Sequence, residues 1–132
     1  MIVPVYDQAG VIVENVRTIC ERVAAGMAEP FEVIVVSDGS VDGTAERLLE
    51  SELPDVRVLY YDRNLGKGYA VKTGAREARG RWVGYVDADL DLDPAALPGF
   101  VAVAEREGLD FVVGSKRHPD SKVDYPRSRV AA

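Results

Sequence analysis

Short, unbroken apolar runs that alternate with segments of helical periodicity constrain this chain more than any other feature. Met1 to Val5, Phe31 to Val36, Val56 to Tyr61, Arg81 to Val86 and Asp110 to Gly114 each read as a strand. Between them, Ile12, Val16, Ile19, Cys20, Val23 and Met27 recur at helical spacing. Gly43 to Ser51 reads as a short helix closed by Pro54, and Val71, Ala75 and Ala78 share one face of another. Asp93 before Pro94 is a good N-cap, and Leu97, Phe100, Val101 and Ala104 form the apolar stripe of a last helix. A sheet with one wet face alternates apolar and polar residues, whereas strands that are apolar throughout are covered on both sides. The pattern therefore predicts an α/β fold, a three-layer α/β/α sandwich around a mostly parallel sheet.

Size and charge narrow the function. With 132 residues, 47% of them hydrophobic, the chain can bury one core but not two, so a single domain over 1–132 is expected. A net charge of -6 argues against a general nucleic-acid binder, which needs a basic face. The charge is uneven: from Lys116 onward five Lys/Arg stand against two Asp, so the tail is basic and the body strongly acidic. That tail reads either as a solvated end or as a phosphate and membrane-surface contact. Cys20, the single cysteine, excludes an internal disulfide, fits a reducing compartment and reads as core on its apolar helical face. No signal peptide is visible, and no apolar run approaches the roughly 18–20 residues that span a bilayer, so the piece reads as soluble.

In open parallel sheets ligands bind beyond the carboxyl ends of the strands. Every unusual cluster falls at such an end: Pro4-Val5-Tyr6, Ser37 to Thr44, Arg63 to Gly68, and Asp87 to Asp91. In Val86-Asp87-Ala88-Asp89-Leu90-Asp91 three carboxylates occupy alternate positions, and in an extended chain they would converge on one spot. Three like charges gather only around a cation, and oxygen ligands of this kind suit Mg²⁺ or Mn²⁺ serving a phosphate-bearing substrate. The bland alternative is a solvated acidic turn that caps the next helix, a task Asp93 already performs. Gly66 and Gly68 serve equally well as a tight helix entry. Asp87 to Asp93 is not a calcium loop, since Leu92 and Pro98 stand at its glycine and closing-glutamate positions. The loop that would start at Asp38 has its glycine, Gly43, but Leu49 at the twelfth position. Gly66-Lys67-Gly68 is not a Walker A loop, and Val71 stands where a dinucleotide fingerprint needs its third glycine. No Cys/His cluster suits zinc.

Taken in order, Pro4-Val5-Tyr6, Val36-Ser37-Asp38-Gly39-Ser40-Val41-Asp42-Gly43-Thr44, Asn64-Leu65-Gly66-Lys67-Gly68, Asp87-Ala88-Asp89-Leu90 and Val113-Gly114-Ser115-Lys116 resemble family 2 glycosyltransferases. Within that group the chain resembles the polyprenyl- or dolichyl-phosphate sugar synthases, and the segment Ser115 to Ser121 looks more like the glucose than the mannose type. The resemblance covers essentially the whole chain and implies a GT-A nucleotide-sugar fold. It also implies an incomplete C-terminal end, because relatives continue into an acceptor-binding half.

The same resemblance implies roles. Pro4 and Tyr6 would cradle the nucleoside with Gln8 nearby, and Asp38 would accept from the base. Gly66 and Lys67 would flank the nucleotide, and Asp87 with Ala88 would face the ribose and metal side. Asp89 would ligate Mg²⁺ or Mn²⁺ with Asp91 beside it, and Lys116 or Arg117 would approach the diphosphate. Gln8 and Ser37 depart from the family, which usually has acidic residues there. The implied reaction is inverting transfer of a sugar from a nucleotide-diphosphate sugar (UDP-glucose or GDP-mannose type) to a polyprenyl or dolichyl phosphate. The implied setting is the cytoplasmic face of a membrane, with peripheral contact. A lipid phosphate is already an anion and needs no base, so His118 reads as a loop residue. Two alternatives remain open: a transferase acting on a hydroxyl, which needs a base near its attacking oxygen, and a non-catalytic nucleotide-sugar-binding module. A sugar-1-phosphate nucleotidyltransferase would need a glycine-rich arginine loop near the first strand, which is missing.

Overall fold

The structure is a computed structural model that describes residues 1–115 and 118–119. Contacts divide the chain into two compact units, Met1–Gly99 and Phe100–Ala132. In the first unit, β1 (Ile2–Val5), β2 (Val33–Asp38) and β3 (Val56–Tyr61) form a parallel sheet in the order β1-β2-β3. The connections are α1 (Ile12–Ala24), α2 (Thr44–Glu50) and, after β3, α3 (Lys67–Glu77). Parallel strands need such crossovers, and each places a helix against the sheet.

The continuous apolar strands are explained by the packing. Val3, Val5, Val33 and Val35 face α1 and α2, where they meet Ile12, Val16, Ile19, Val23 and Leu48. Ile2, Ile34 and Val36 point the other way and pack with Ala70 of α3. Successive side chains of a strand alternate between faces, so both layers draw on the same six-residue run of β2. Ile12, Ile19 and Ile34 are fully buried, and each such side chain contributes about 1.5–3 kcal/mol. The three-layer α/β/α expectation stands.

Three expectations need correction. The buried face of α3 is Ala70 and Gly74, flanked by partly buried Val71 and Ala78, and Ala75 is exposed. Close approach selects the small residues, because a Cβ on Gly74 would lie 2.7 Å from Ile2 Cγ2. Arg81 to Val86 is not a full strand but a single parallel bridge between Ile2 and Tyr85. Its two hydrogen bonds are Ile2 N to the Gly84 carbonyl, 2.8 Å, and Val86 N to the Ile2 carbonyl, 3.1 Å. The next bond along this ladder needs an N–H from residue 4, and Pro4 has none. Finally, Asp110 to Gly114 forms no strand among the described residues, a bend at Asp110 leading into irregular chain that leaves Phe111 and Val113 exposed.

Asp93 does cap as expected, its Oδ1 accepting from Ala95 N at 3.1 Å above the 3₁₀ turn Pro94–Ala96 that leads into α4 (Leu97–Glu107). Of the expected stripe only Ala104 is fully buried; Leu97, Phe100 and Val101 are half-buried. Gly108, at φ 64°, ends α4, and Leu109 N reaches back to the Ala104 carbonyl at 2.8 Å.

Candidate functional site

Strand order places the site. From β1 the chain steps to β2 and β3, then α3 carries it back to the far side of β1, where Tyr85 bridges Ile2. The direction of winding reverses beside β1, and a crevice opens at such a reversal. An open cleft of about 510 Å³ lies there, lined by residues 7–11 together with Asn15, Asp42 and Asp89.

Two loops are stitched together to make its wall. Asp7, at φ 47°, donates its N–H to Ser40 Oγ at 3.1 Å and accepts from Val41 N on Oδ1 at 2.9 Å. Asp42 accepts from the Thr44 hydroxyl at 2.5 Å and from Ala9 N at 2.9 Å, while Thr44 Oγ1 accepts from Gln8 N at 2.8 Å. The Thr44 hydroxyl and then the Ala9 N–H hold the Asp42 carboxyl below its ordinary range, so it is ionised at neutral pH. On the other wall, Asn15 Nδ2 donates to the Ala88 carbonyl at 2.9 Å and ties α1 to the acidic loop.

A second clamp lies next to β2. Asp38, only 3% exposed, accepts on Oδ1 from Tyr61 Oη at 2.7 Å and Leu65 N at 2.9 Å, and on Oδ2 from Gly66 N at 2.9 Å. Burial and the Asp38 contact hold the Tyr61 phenol far above its ordinary value, so it remains a donor. Gly39, at φ 66°, permits the crossing beneath, since a Cβ there would sit 2.9 Å from Arg63 Cα and closer still to the adjoining peptide. Gly66, at φ 90°, turns the loop into α3, and its carbonyl accepts from Tyr69 N and Ala70 N.

The acidic segment departs from the extended geometry that would bring three carboxylates together. The chain turns at Ala88–Asp89, Leu90 takes φ 61°, and Asp89 Oδ1 accepts from Asp91 N at 3.0 Å. Ala88 packs into the core, leaving Asp87 half-buried and Asp89 and Asp91 exposed. Asp87 is ion-paired with Lys67, and Asp89 borders the cleft. Among the described residues no three Asp, Glu, His or Cys side chains gather as a cation site.

The other expected site residues are divided. Gln8 lines the cleft with a buried Oε1 that has no hydrogen-bond partner. Tyr6 is 47% exposed on the rim, and the Asp7 carboxylate beside it raises its phenol. Pro4 is buried inside β1 opposite Val36, so its ring lies within the sheet rather than on the rim. Lys116 and Arg117 lie outside the described residues. Sequence reading passed over Asp7, Asn15, Asp42 and Thr44 as individual site residues. Asp42-Gly43-Thr44 carried a signal, a polar side chain at a helix start, whereas Asn15 inside α1 carried none.

A parallel three-layer domain with its cleft at the reversal of strand order belongs to the open-sheet α/β folds, whose ligand crevices open at that reversal. The comparisons narrow this class: residues 1–130 match the model of glycosyl transferase family 2, and the chain belongs to that family. It is 34% identical over 124 residues to a dodecaprenyl-phosphate galacturonate synthase of Rhizobium johnstonii, a match covering 89% of this chain and 36% of that protein. It is 36% identical to an undecaprenyl-phosphate 4-deoxy-4-formamido-L-arabinose transferase of Yersinia enterocolitica, with coverage again 89% and 36%. The chain thus spans about a third of the length of these relatives. Among solved structures it resembles a mannosyltransferase of Pyrobaculum calidifontis in complex with GDP-Man and Mn²⁺. The TM-score is 0.63 at 29% identity, covering 78% of this chain and 31% of that one. That likeness bears out the GT-A-like fold expectation. No helix among the described residues is long and apolar enough to cross a membrane.

Proposed function

We propose that this chain holds the sugar-nucleotide site of a transferase that moves a sugar from a nucleoside diphosphate to a polyprenyl phosphate, with inversion at the sugar carbon. The observation that carries this reading is the cleft at the strand-order reversal, bordered by Asp89 and walled by the Asp7, Asp42 and Thr44 stitches. The polyprenyl-phosphate relatives support the acceptor class, and the GDP-Man and Mn²⁺ complex supports the donor class.

The donor set fits a divalent ion of the kind that takes only one or two carboxylates from protein and the rest from phosphates and water. Asp89, with Asp91 beside it, would hold Mg²⁺ or Mn²⁺, which when bound neutralises charge on a departing diphosphate. The remaining work belongs to the chain itself. Tyr6 offers an exposed ring at the rim, and Gln8 offers an unpaired acceptor to a base or ribose. Asp38 keeps the 64–66 loop in place rather than reading the base directly, since both its oxygens already accept from this loop. Lys116 or Arg117 would approach the diphosphate. The acceptor phosphate is an anion at neutral pH and attacks without a general base. With a lipid acceptor the whole protein would work at a membrane, at its cytoplasmic face in this reading, and a basic tail suits that surface.

Calorimetric titration with UDP-glucose and GDP-mannose, each in Mn²⁺ and in EDTA, tests the reading. The expected result is binding of one donor that EDTA removes. Asp89→Asn is expected to weaken that binding by at least about tenfold, with unchanged unfolding. Unchanged donor affinity in Asp89→Asn would sink the cation assignment.

A further inference from the structure

Lys67 is the first residue of α3, placed directly after the loop that Asp38 clamps. Its Nζ pairs with Asp87 and lies 5.3 Å from the centroid of the Tyr85 ring. Two contacts therefore hold the ammonium over the segment that carries the acidic motif. Ala88 is 3% exposed and packs into the core, with Asp87 half-buried before it and Asp89 exposed after it. Their surroundings then separate them: Asp89 borders the cleft, whereas Asp87 is tied to Lys67.

We propose that Lys67 is a positioning residue, an internal counter-cation that keeps Asp87 from joining Asp89 around a divalent ion in the free protein. The acidic segment then presents a single carboxylate to the cleft, where those of Asp7 and Asp42 are already engaged by Val41 N and by Thr44 and Ala9. A divalent ion is captured only together with a diphosphate that supplies the missing oxygens. The joint-capture half rests on the donor-site reading above; the pairing half does not. Side chains 52% and 36% exposed form a weak ion pair, so Lys67 biases the choice of ligands rather than blocking it, and the effect is several-fold.

The test follows free Mn²⁺ by electron paramagnetic resonance during titration with protein, alone and with UDP or GDP. The variants are Lys67→Met, Lys67→Arg, Asp87→Asn and Lys67→Met/Asp87→Asn, each checked for folding by urea unfolding. Without nucleotide, Lys67→Met is expected to bind Mn²⁺ about fivefold more tightly than the wild type, with Lys67→Arg close to the wild type. Adding Asp87→Asn should erase the gain. An unchanged affinity in Lys67→Met overturns the pairing half. So does a gain that survives in the double variant, because it would reflect net charge rather than Asp87. Failure of UDP and GDP to promote Mn²⁺ uptake by the wild type overturns the donor reading and joint capture, while the protein-alone comparison still decides the role of Lys67.

Discussion

Asp38 is a carboxylate surrounded by donors, two from the backbone of its neighbouring loop and one from Tyr61. Deleting a buried acceptor leaves its donors without partners, a larger loss than the bonds themselves. Asp38→Ala is expected to lower stability by about 3 kcal/mol in urea unfolding, through release of the 64–66 loop. Glu32 does a comparable task at the opposite end of the strands. Its Oε1 accepts from Arg79 N at 2.5 Å and Gly80 N at 3.2 Å, with Arg57 nearby, and the Arg79 contact above all lowers its carboxyl below the ordinary glutamate range. A lowered carboxylate adds stability that is fully present above its unfolded value and lost as pH falls through the folded one. Glu32→Gln should therefore be less stable than wild type at pH 7. Thermal melts should show the gap closing as pH drops below about 4. A gap that does not narrow as pH falls through the acid range would refute the ionic origin. Asp38 shows the limit of reading at this scale, since its position at a strand end was visible but its partners were not.

At the scale of the element, Pro4 decides where the sheet stops. Residues 2 and 4 of β1 direct their backbone groups to the 84–86 segment, and only residue 2 has an N–H to give. Pro4→Val supplies the missing donor, so the bridge is expected to lengthen by a further bond to residue 86. The measurement is amide hydrogen exchange: the new amide at position 4 should be protected, and that of Val86 more slowly exchanging than in the wild type. Global stability should change by less than about 1 kcal/mol, because the added bond is offset by the entropy proline removed from the unfolded chain. Free exchange at position 4 would refute the account. Proline was visible in the sequence, but which side of β1 it faced was not, and that choice separates a strand from a bridge. α3 teaches a similar lesson. Helical period placed an apolar face one residue away from the true one, since Ala70 and Gly74 were too small to stand out until Ile2 was against them.

At the scale of the whole molecule, loops from distant parts of the chain form one cleft with an acidic border. A ligand that binds only the folded state adds RT ln(1 + [L]/Kd) to stability. At a hundredfold excess over Kd, UDP or GDP with Mn²⁺ should add about 2.7 kcal/mol, and EDTA should abolish the gain. An equal shift in EDTA would show binding without a cation. The order of apolar runs by itself determined the α/β/α layering and the parallel strands, because period and burial are local consequences of composition along the chain. The acidic motif likewise marked a border of the cleft, which Asp89 lines. Tertiary structure alone decided how the carboxylates are used. Whether Asp87 meets a cation or Lys67, and whether Asp38 faces a base or Tyr61, depends on which loops lie within hydrogen-bonding distance. Those distances are set by the packing of helices on the sheet, not by spacing along the chain.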